Sequence, residues 1–175
     1  MKSVLEGDEQ MSFHIRELKN EDWDSIKHIY LEGIKTGKAT FQTDAPTQEE
    51  WFAGHILPCS IGYFEAGMML GWASLSPVSS RCVYSGVAEV SIYVKEEARG
   101  KGVGRKLMES LIELSEENGY WTLQSGIFPE NSSSISLHQA HGFREVGKRE
   151  KMGKLKNEWK DVLLFERRST RVGID

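Results

Sequence analysis

A mixed α/β fold is predicted by three features of this 175-residue chain. Segments of strand-like alternation interleave with segments of helical period. The glycine-rich stretch Arg99-Gly-Lys-Gly-Val-Gly104 follows a β-branched run and opens an amphipathic one, and Asn131 opens a further helix that ends in Gly142-Phe143 and enters the next strand.

The elements follow in order. Phe13 to Glu17 alternates as a first strand, and Asn20 caps a helix that carries Trp23, Ile26, Ile29, Tyr30 and Ile34 on one face and stops at Gly37. Thr47 and Glu50 have capping-box spacing for a short helix through Trp51, Phe52 and Ile56, which Pro58 ends. Ile61 to Glu65, the pair Ala66-Gly67, and Met68 to Leu75 read as strand, tight turn and strand. Val83 to Val94 is the fourth strand, and the helix from Val103 repeats its apolar face through Leu107, Leu111, Ile112 and Leu114. A strand from Trp121 to Phe128, the Asn131 helix, and a closing pair at Phe143 to Met152 and Trp159 to Glu166 complete the chain. Residues 1–11 are acidic and aperiodic and are expected to be a flexible leader, with Met11 a second candidate start; residues 12–169 form one domain and 170–175 a tail.

The Arg99 stretch carries the chemistry. Gly100, Gly102 and Gly104 are free to adopt positive φ and leave room for phosphate oxygens at the main chain. The helix beginning at Val103 directs its positive end to the same point, so backbone N–H groups, an arginine and a helix dipole converge on one anion, the arrangement that holds a pyrophosphate. No segment gives Gly-x-Gly-x-x-Gly. The stretch Gly142 to Lys148 has the spacing of a nucleotide-binding loop but is followed by Arg149 where magnesium ligation needs Ser or Thr.

With Arg99-x-x-Gly102-x-Gly104 after a strand, and Asn131 opening a helix that ends in Gly142-Phe143, the chain resembles the GCN5-related N-acetyltransferase family. It is most similar to the phosphinothricin and methionine sulfoximine acetyltransferase branch through Ala39-Thr-Phe-Gln-Thr43, Glu50-Trp51, Arg81-Cys-Val-Tyr84, Ala88-Glu89 and Asn157 to Val162. The resemblance implies a mostly antiparallel seven-stranded sheet with about four helices, splayed after the fourth strand, and acetyl-CoA as co-substrate. It implies that the main chain of Ile92, Tyr93 and Val94 holds the pantetheine arm as an added strand would, and that Arg99, Gly100, Lys101, Gly102, Val103, Gly104 and Arg105 hold the pyrophosphate. Asn131 matches the family residue that contacts the pantetheine arm, and it equally suits a helix N-cap.

Acetyl transfer to an amine needs a deprotonated nucleophile, donors for the charge that develops on the carbonyl oxygen, and a proton for the departing thiolate. Glu89, in the otherwise apolar run Val87 to Ile92, is the expected base, acting directly or through a water. His138 stands where much of the family carries Tyr and is the expected acid; a packed core histidine is the alternative. The backbone near Ile92 or Tyr93 is expected to hold the oxyanion. Arg81 offers a bidentate fork for a substrate carboxylate, and Phe41, Ser80, Tyr84, Val90 and Ser91 complete the expected substrate pocket beside Glu89. The resemblance thus implies acetylation of the α-amino group of a small amino acid analogue. Acetylation of protein N-termini or polyamines, and non-catalytic acyl-CoA sensing, are the alternatives.

Composition fits this reading. The chain carries 26 acidic against 22 basic residues, a formal net charge of −4, with no long Lys/Arg block, which argues against nucleic acid as a partner. Cys59 and Cys82 lack metal-ligand spacing, so no metal is expected, and the scarcity of cysteine suits the cytoplasm. No stretch has the length of a membrane span or signal core. A homodimer is expected from the resemblance.

Overall fold

The structure, a computed structural model, describes residues 12–175; the expected leader lies outside the described residues. β1 (Phe13–Glu17) pairs antiparallel with β2 (Ile56–Glu65), and β2 with β3 (Met68–Pro77) through Ala66-Gly67, whose φ values of 48° and 76° suit a two-residue hairpin turn. β4 (Val87–Val94) follows antiparallel to β3. β5 (Thr122–Ile127) then lies parallel to β4, and the hairpin of β6 (Arg144–Leu155) and β7 (Glu158–Arg168) closes the sheet in the order β1-β2-β3-β4-β5-β7-β6. This is the seven-stranded, mostly antiparallel sheet expected.

Four helices cover the sheet. α1 (Trp23–Lys35) and α2 (Gln48–Gly54) lie over one face, where Ile26, Ile29, Trp51 and Trp72 form a buried cluster with Leu18, Phe64 and Met69. Each of these large side chains contributes about 1.5–3 kcal/mol by leaving water. α3 (Val103–Glu117) and α4 (Ser132–Ala140) cover the other face. There Leu107, Met108 and Leu111 pack with Leu75, Val90, Leu123 and Phe165. The two faces separate the alternating residues of β4: Ala88 and Val90 enter the α3 core, while the Tyr93 ring packs tilted against Trp72 beneath α1.

Several boundaries differ from the sequence reading. Asn20 opens a 3-10 turn (Asn20–Asp22) rather than capping α1; Asp22 organises the entry instead, accepting from the Lys19 N–H at 2.8 Å and from both Arg16 amino groups at 2.8 and 2.9 Å. The capping box of α2 is present, with Glu50 N–H donating to Thr47 Oγ1 at 3.2 Å and Thr47 N–H to Glu50 Oε2 at 2.9 Å. Pro58 does not end α2. It sits inside β2 at the irregularity between Ile56 and Ser60, where the ladder skips a bond that proline could not make. The fourth strand starts at Val87, because Cys82–Tyr84 forms a 3-10 turn. The last hairpin turns at Lys156 and Asn157, both at positive φ.

The segment after β7, expected to be a tail, folds back on the domain. Glu116 of α3 accepts from Arg167, Ser169 and Arg171 at 3.1, 2.9 and 3.2 Å, while Arg168 donates to the carbonyls of Ser169, Val172 and Gly173.

Candidate active site

β4 and β5 share only three registered pairs, Val87 with Thr122, Ala88 with Leu123 and Glu89 with Gln124. Beyond Glu89 the two strands part. Ser91 to Val94 stay paired with β3 on one side and have no strand partner on the other, so main-chain polar groups of β4 face a gap. The gap belongs to a cleft of about 940 Å³ that runs from Arg99 and Gly102 past Ile92, Tyr93 and Val94 to Glu89 and on to Phe41, Trp51 and His55.

One end of the cleft is built for an anion. Gly102 caps α3 in the left-handed conformation at φ 84° and supplies no side-chain cap, so the first N–H groups of the helix lack partners within it. Gly100, at φ 74°, makes the preceding bend. Gly104 differs from expectation: it lies inside α3 without positive φ, and its bareness gives clearance, since an added Cβ would already lie 3.5 Å from both Val94 and Leu137. Arg99, Val103 and Arg105 also line the cleft, whereas Lys101 does not. The Arg105 side chain is held by Glu109 at 3.0 Å, one turn along the helix. These features fit the diphosphate and pantetheine arm of a coenzyme A: free N–H groups at a helix start, no Cβ in the way, and an unpaired strand edge leading inward.

Asn131 caps α4, its Oδ1 accepting from Ser134 N–H at 3.2 Å. Its Nδ2 donates to the Lys38 carbonyl at 3.2 Å, which ties the loop after α1 across the cleft to the start of α4. The cap leaves one amide N–H of Asn131 for a ligand.

Glu89 and His138 line the same cleft but in opposite environments. Glu89 is exposed rather than enclosed by the apolar neighbours in its strand, because those alternate to the far face; Gln124 donates to its Oε2 at 3.4 Å. His138 is 1% exposed, and its ring lies edge-on to Phe143. Nδ1 lies 2.7 Å from the Ser134 carbonyl, an acceptor, so Nδ1 carries the proton and Nε2 is a buried lone pair without a partner. Burial pushes the His138 pKa down, the Ser134 bond opposes this in part, and His141 adds to the lowering. The lowered pKa favours the neutral ring, in which Nε2 is an acceptor, whereas the acid role expected from the sequence would need the protonated ring.

The expected substrate residues divide. Phe41, Val90 and Ser91 line the cleft with Glu89. Ser80, Arg81 and Tyr84 lie outside its lining: they are exposed on the loop and turn before β4, and the Arg81 guanidinium stacks 5.5 Å from the Tyr84 ring centre.

Other lining residues, Tyr30, His55, Gln124 and Arg149 among them, escaped the sequence reading, and Tyr93 was expected through its main chain only. Tyr30 and Tyr93 meet edge-on at 4.9 Å, and burial raises both phenol pKa values. His55 stacks on Trp51 at 4.1 Å, and its Nδ1 lies 2.6 Å from the Trp51 carbonyl; burial lowers its pKa. Gln124 and Arg149 also line the cleft. The alternation around Gln124 was visible in the sequence, but its meeting with Glu89 depends on a parallel pairing across 35 residues.

Comparisons with known proteins agree with this geometry. The family model described as Acetyltransferase (GNAT) domain matches residues 15–164. A phosphinothricin N-acetyltransferase of Alcaligenes faecalis is 30% identical over 159 residues, covering 87% of this chain and 81% of the relative. An L-methionine sulfoximine/L-methionine sulfone acetyltransferase of Pseudomonas paraeruginosa is 29% identical over 162 residues, covering 89% of this chain and 94% of the relative. Among solved structures, a GNAT superfamily phosphinothricin acetyltransferase from Sinorhizobium meliloti, in complex with acetyl-CoA, superimposes with a TM-score of 0.83 at 28% identity, covering 94% of this chain and 92% of that one. The splayed sheet, the glycine turn at the start of α3 and the match over nearly the whole described chain make this protein a member of the GNAT family of acetyl-CoA-dependent N-acetyltransferases.

Proposed function

We propose that this enzyme acetylates the α-amino group of a small amino acid analogue, with methionine sulfoximine and phosphinothricin as the acceptors favoured by its similarity to the Pseudomonas and Alcaligenes enzymes. The observation that carries the reading is one continuous cleft with the glycine turn at one end and Glu89 further in. Bound acetyl-CoA supplies the acyl group as a thioester. The unpaired edge of β4 at Ile92, Tyr93 and Val94 aligns the arm, and the start of α3 from Gly102 to Arg105 holds the diphosphate, with Arg99 adding charge.

Glu89 takes the proton from the acceptor amine, directly or through one water, while Gln124 fixes the orientation of its carboxylate. The proton that Glu89 takes from the amine passes through water to the departing thiolate, and the neutral His138, with no proton to give from Nε2, accepts a hydrogen bond there from the thiol product or from a bridging water. Direct transfer within a ternary complex is supported by the placement of the two thiols. Neither lines the cleft, Cys82 being exposed elsewhere and Cys59 buried with its pKa pushed up to about 11 by that burial.

The enzyme works as a homodimer in the cytoplasm, with Val146, Met152 and Trp159 exposed on the β6–β7 hairpin as its apolar contact; light scattering that gives a monomer mass overturns the dimer. The test of the activity is thiol release from acetyl-CoA, screened across amino acid analogues, peptides and polyamines. Release that depends on an amino acid analogue supports the reading. Turnover confined to peptides or polyamines overturns the substrate class, and binding of acetyl-CoA without any turnover overturns catalysis.

A further inference from the structure

The cations of the cleft are unevenly placed. Arg99 and Arg105 belong to the glycine turn, and Lys38 sits beside Asn131 at the start of α4. Only Arg149 comes from the β6–β7 hairpin. Arg81, the sequence candidate for reading a substrate anion, is absent from the lining.

β6 is built irregularly where Arg149 lies. Arg149 pairs with Val162 and the next registered pair is Gly153 with Lys160, so β6 spends four residues where β7 spends two. Within that excess, Lys151 adopts φ 45°, a left-handed conformation unfavourable for a residue with a Cβ, and its N–H is held by Asp161 Oδ1 at 2.8 Å. The bulge brings Arg149 and Met152 into the lining, and its far end, Gly153, packs under Phe41, whose ring would lie 3.1 Å from an added Cβ. Phe41 in turn meets Phe128 edge-on at 4.8 Å. Among the described residues Arg149 makes no ion pair and no side-chain hydrogen bond, although its hairpin neighbours Arg144, Lys148 and Lys160 pair with Glu166, Asp161 and Glu158. A guanidinium without a partner, on an exposed residue of the cleft that Phe41, Phe128 and Val162 also line, is a fork for an oxyanion.

We propose that Arg149, presented by the β6 bulge, receives the oxyanion of the acceptor, a carboxylate or a phosphinate, and so selects anionic amines. This rests on the reading of the protein as an amino acid N-acetyltransferase. Arg149 touches the acceptor and not the acetyl group, so its effect falls on acceptor discrimination.

The experiment measures kcat/KM of the full-length enzyme for methionine sulfoximine and for its α-amide, whose ratio isolates the carboxylate, and for phosphinothricin against methionine sulfoximine, whose ratio isolates the phosphinate. Arg149→Ala is expected to lower at least one of these ratios about 10- to 100-fold, the range for a hydrogen bond to a charged group. Arg149→Lys should fall between, keeping charge without the fork. Acetyl-CoA affinity by calorimetry serves as the control for folding and should stay within about twofold, since the glycine turn is separate. Ratios unmoved by Arg149→Ala, or collapsed by Arg81→Ala instead, overturn the inference while leaving the proposed activity standing. Wild-type turnover confined to neutral or polycationic amines overturns both.

Discussion

The last residue of β4 to pair with β5 is Glu89, and its registered partner Gln124 donates from Nε2 to the Glu89 carboxylate at 3.4 Å. The fork of the sheet and the candidate base therefore coincide. One pair further along, the strands have separated and the cofactor groove begins.

On the proposed mechanism, Glu89→Gln keeps shape and the contact with Gln124 but removes the base. Steady-state kinetics should show kcat down about 100- to 10,000-fold, with acetyl-CoA affinity retained. Gln124→Leu should cause a smaller loss, because it frees the carboxylate without removing it. Unchanged turnover in Glu89→Gln assigns the proton transfer elsewhere.

His138 makes a pH prediction with a definite sign. Burial depresses its pKa in the fold below the ordinary histidine value, so below that value the unfolded chain binds more protons than the native one. The stability it confers is fully present above the ordinary histidine pKa and is lost as pH falls through the native value. In thermal unfolding, the gap between wild type and His138→Gln should narrow from pH 7 to pH 5. A gap that widened on acidification would mean a protonated native ring.

The glycine turn predicts two different failures. Gly102 is at φ 84°, so Gly102→Ala forces a Cβ into a left-handed cap and should destabilise the fold by about 1–2 kcal/mol, seen as a lower Tm. Gly104 is helical, so Gly104→Val should leave the cap conformation intact and crowd Val94, Leu137 and the cleft. Calorimetry should show acetyl-CoA binding abolished in Gly104→Val.

Glu116 anchors the C-terminal segment. Burial pushes its carboxyl pKa up, but Ser169, Arg167 and Arg171 outweigh burial and hold it below the usual value. Its contribution is therefore present above the ordinary glutamate pKa and is lost as pH falls through the lower native one. Glu116→Ala should cost about 1.5–3 kcal/mol at pH 7 in denaturant unfolding and less under acid conditions. Proteolysis after Arg168 should be faster in the variant.

The parts of the site that lie within one stretch of chain were legible. Arg99 to Gly104 sits between a recognisable strand and a recognisable helix, Thr47 and Glu50 form their box over three residues, and Asn131 caps its own helix. The errors came where packing overrides local preference. Pro58 looks like a helix stop, yet a bulge accommodates it in β2; Asn20 looks like the cap of α1, yet it opens a 3-10 turn whose Asp22 holds the Lys19 N–H and Arg16 of β1. Arg81, expected to read a carboxylate from its place before the Glu89 strand, lies outside the cleft lining, and Arg149 lies within it.

The order of strands and helices, the glycine turn at the start of α3 and the acetyltransferase family were determined by the sequence, because periodicity, caps and glycine spacing act over a few residues, where the chain itself sets the geometry. Tertiary structure alone decided which side chains share the cleft. Glu89 meets Gln124 through a parallel pairing, Asn131 reaches Lys38 from 93 residues away, and Arg149 enters the lining because β6 spends extra residues against β7. Burial likewise shifted His138: enclosure by protein lowers its pKa against the opposing pull of the Ser134 carbonyl, and no local pattern reports how much water a folded chain has excluded.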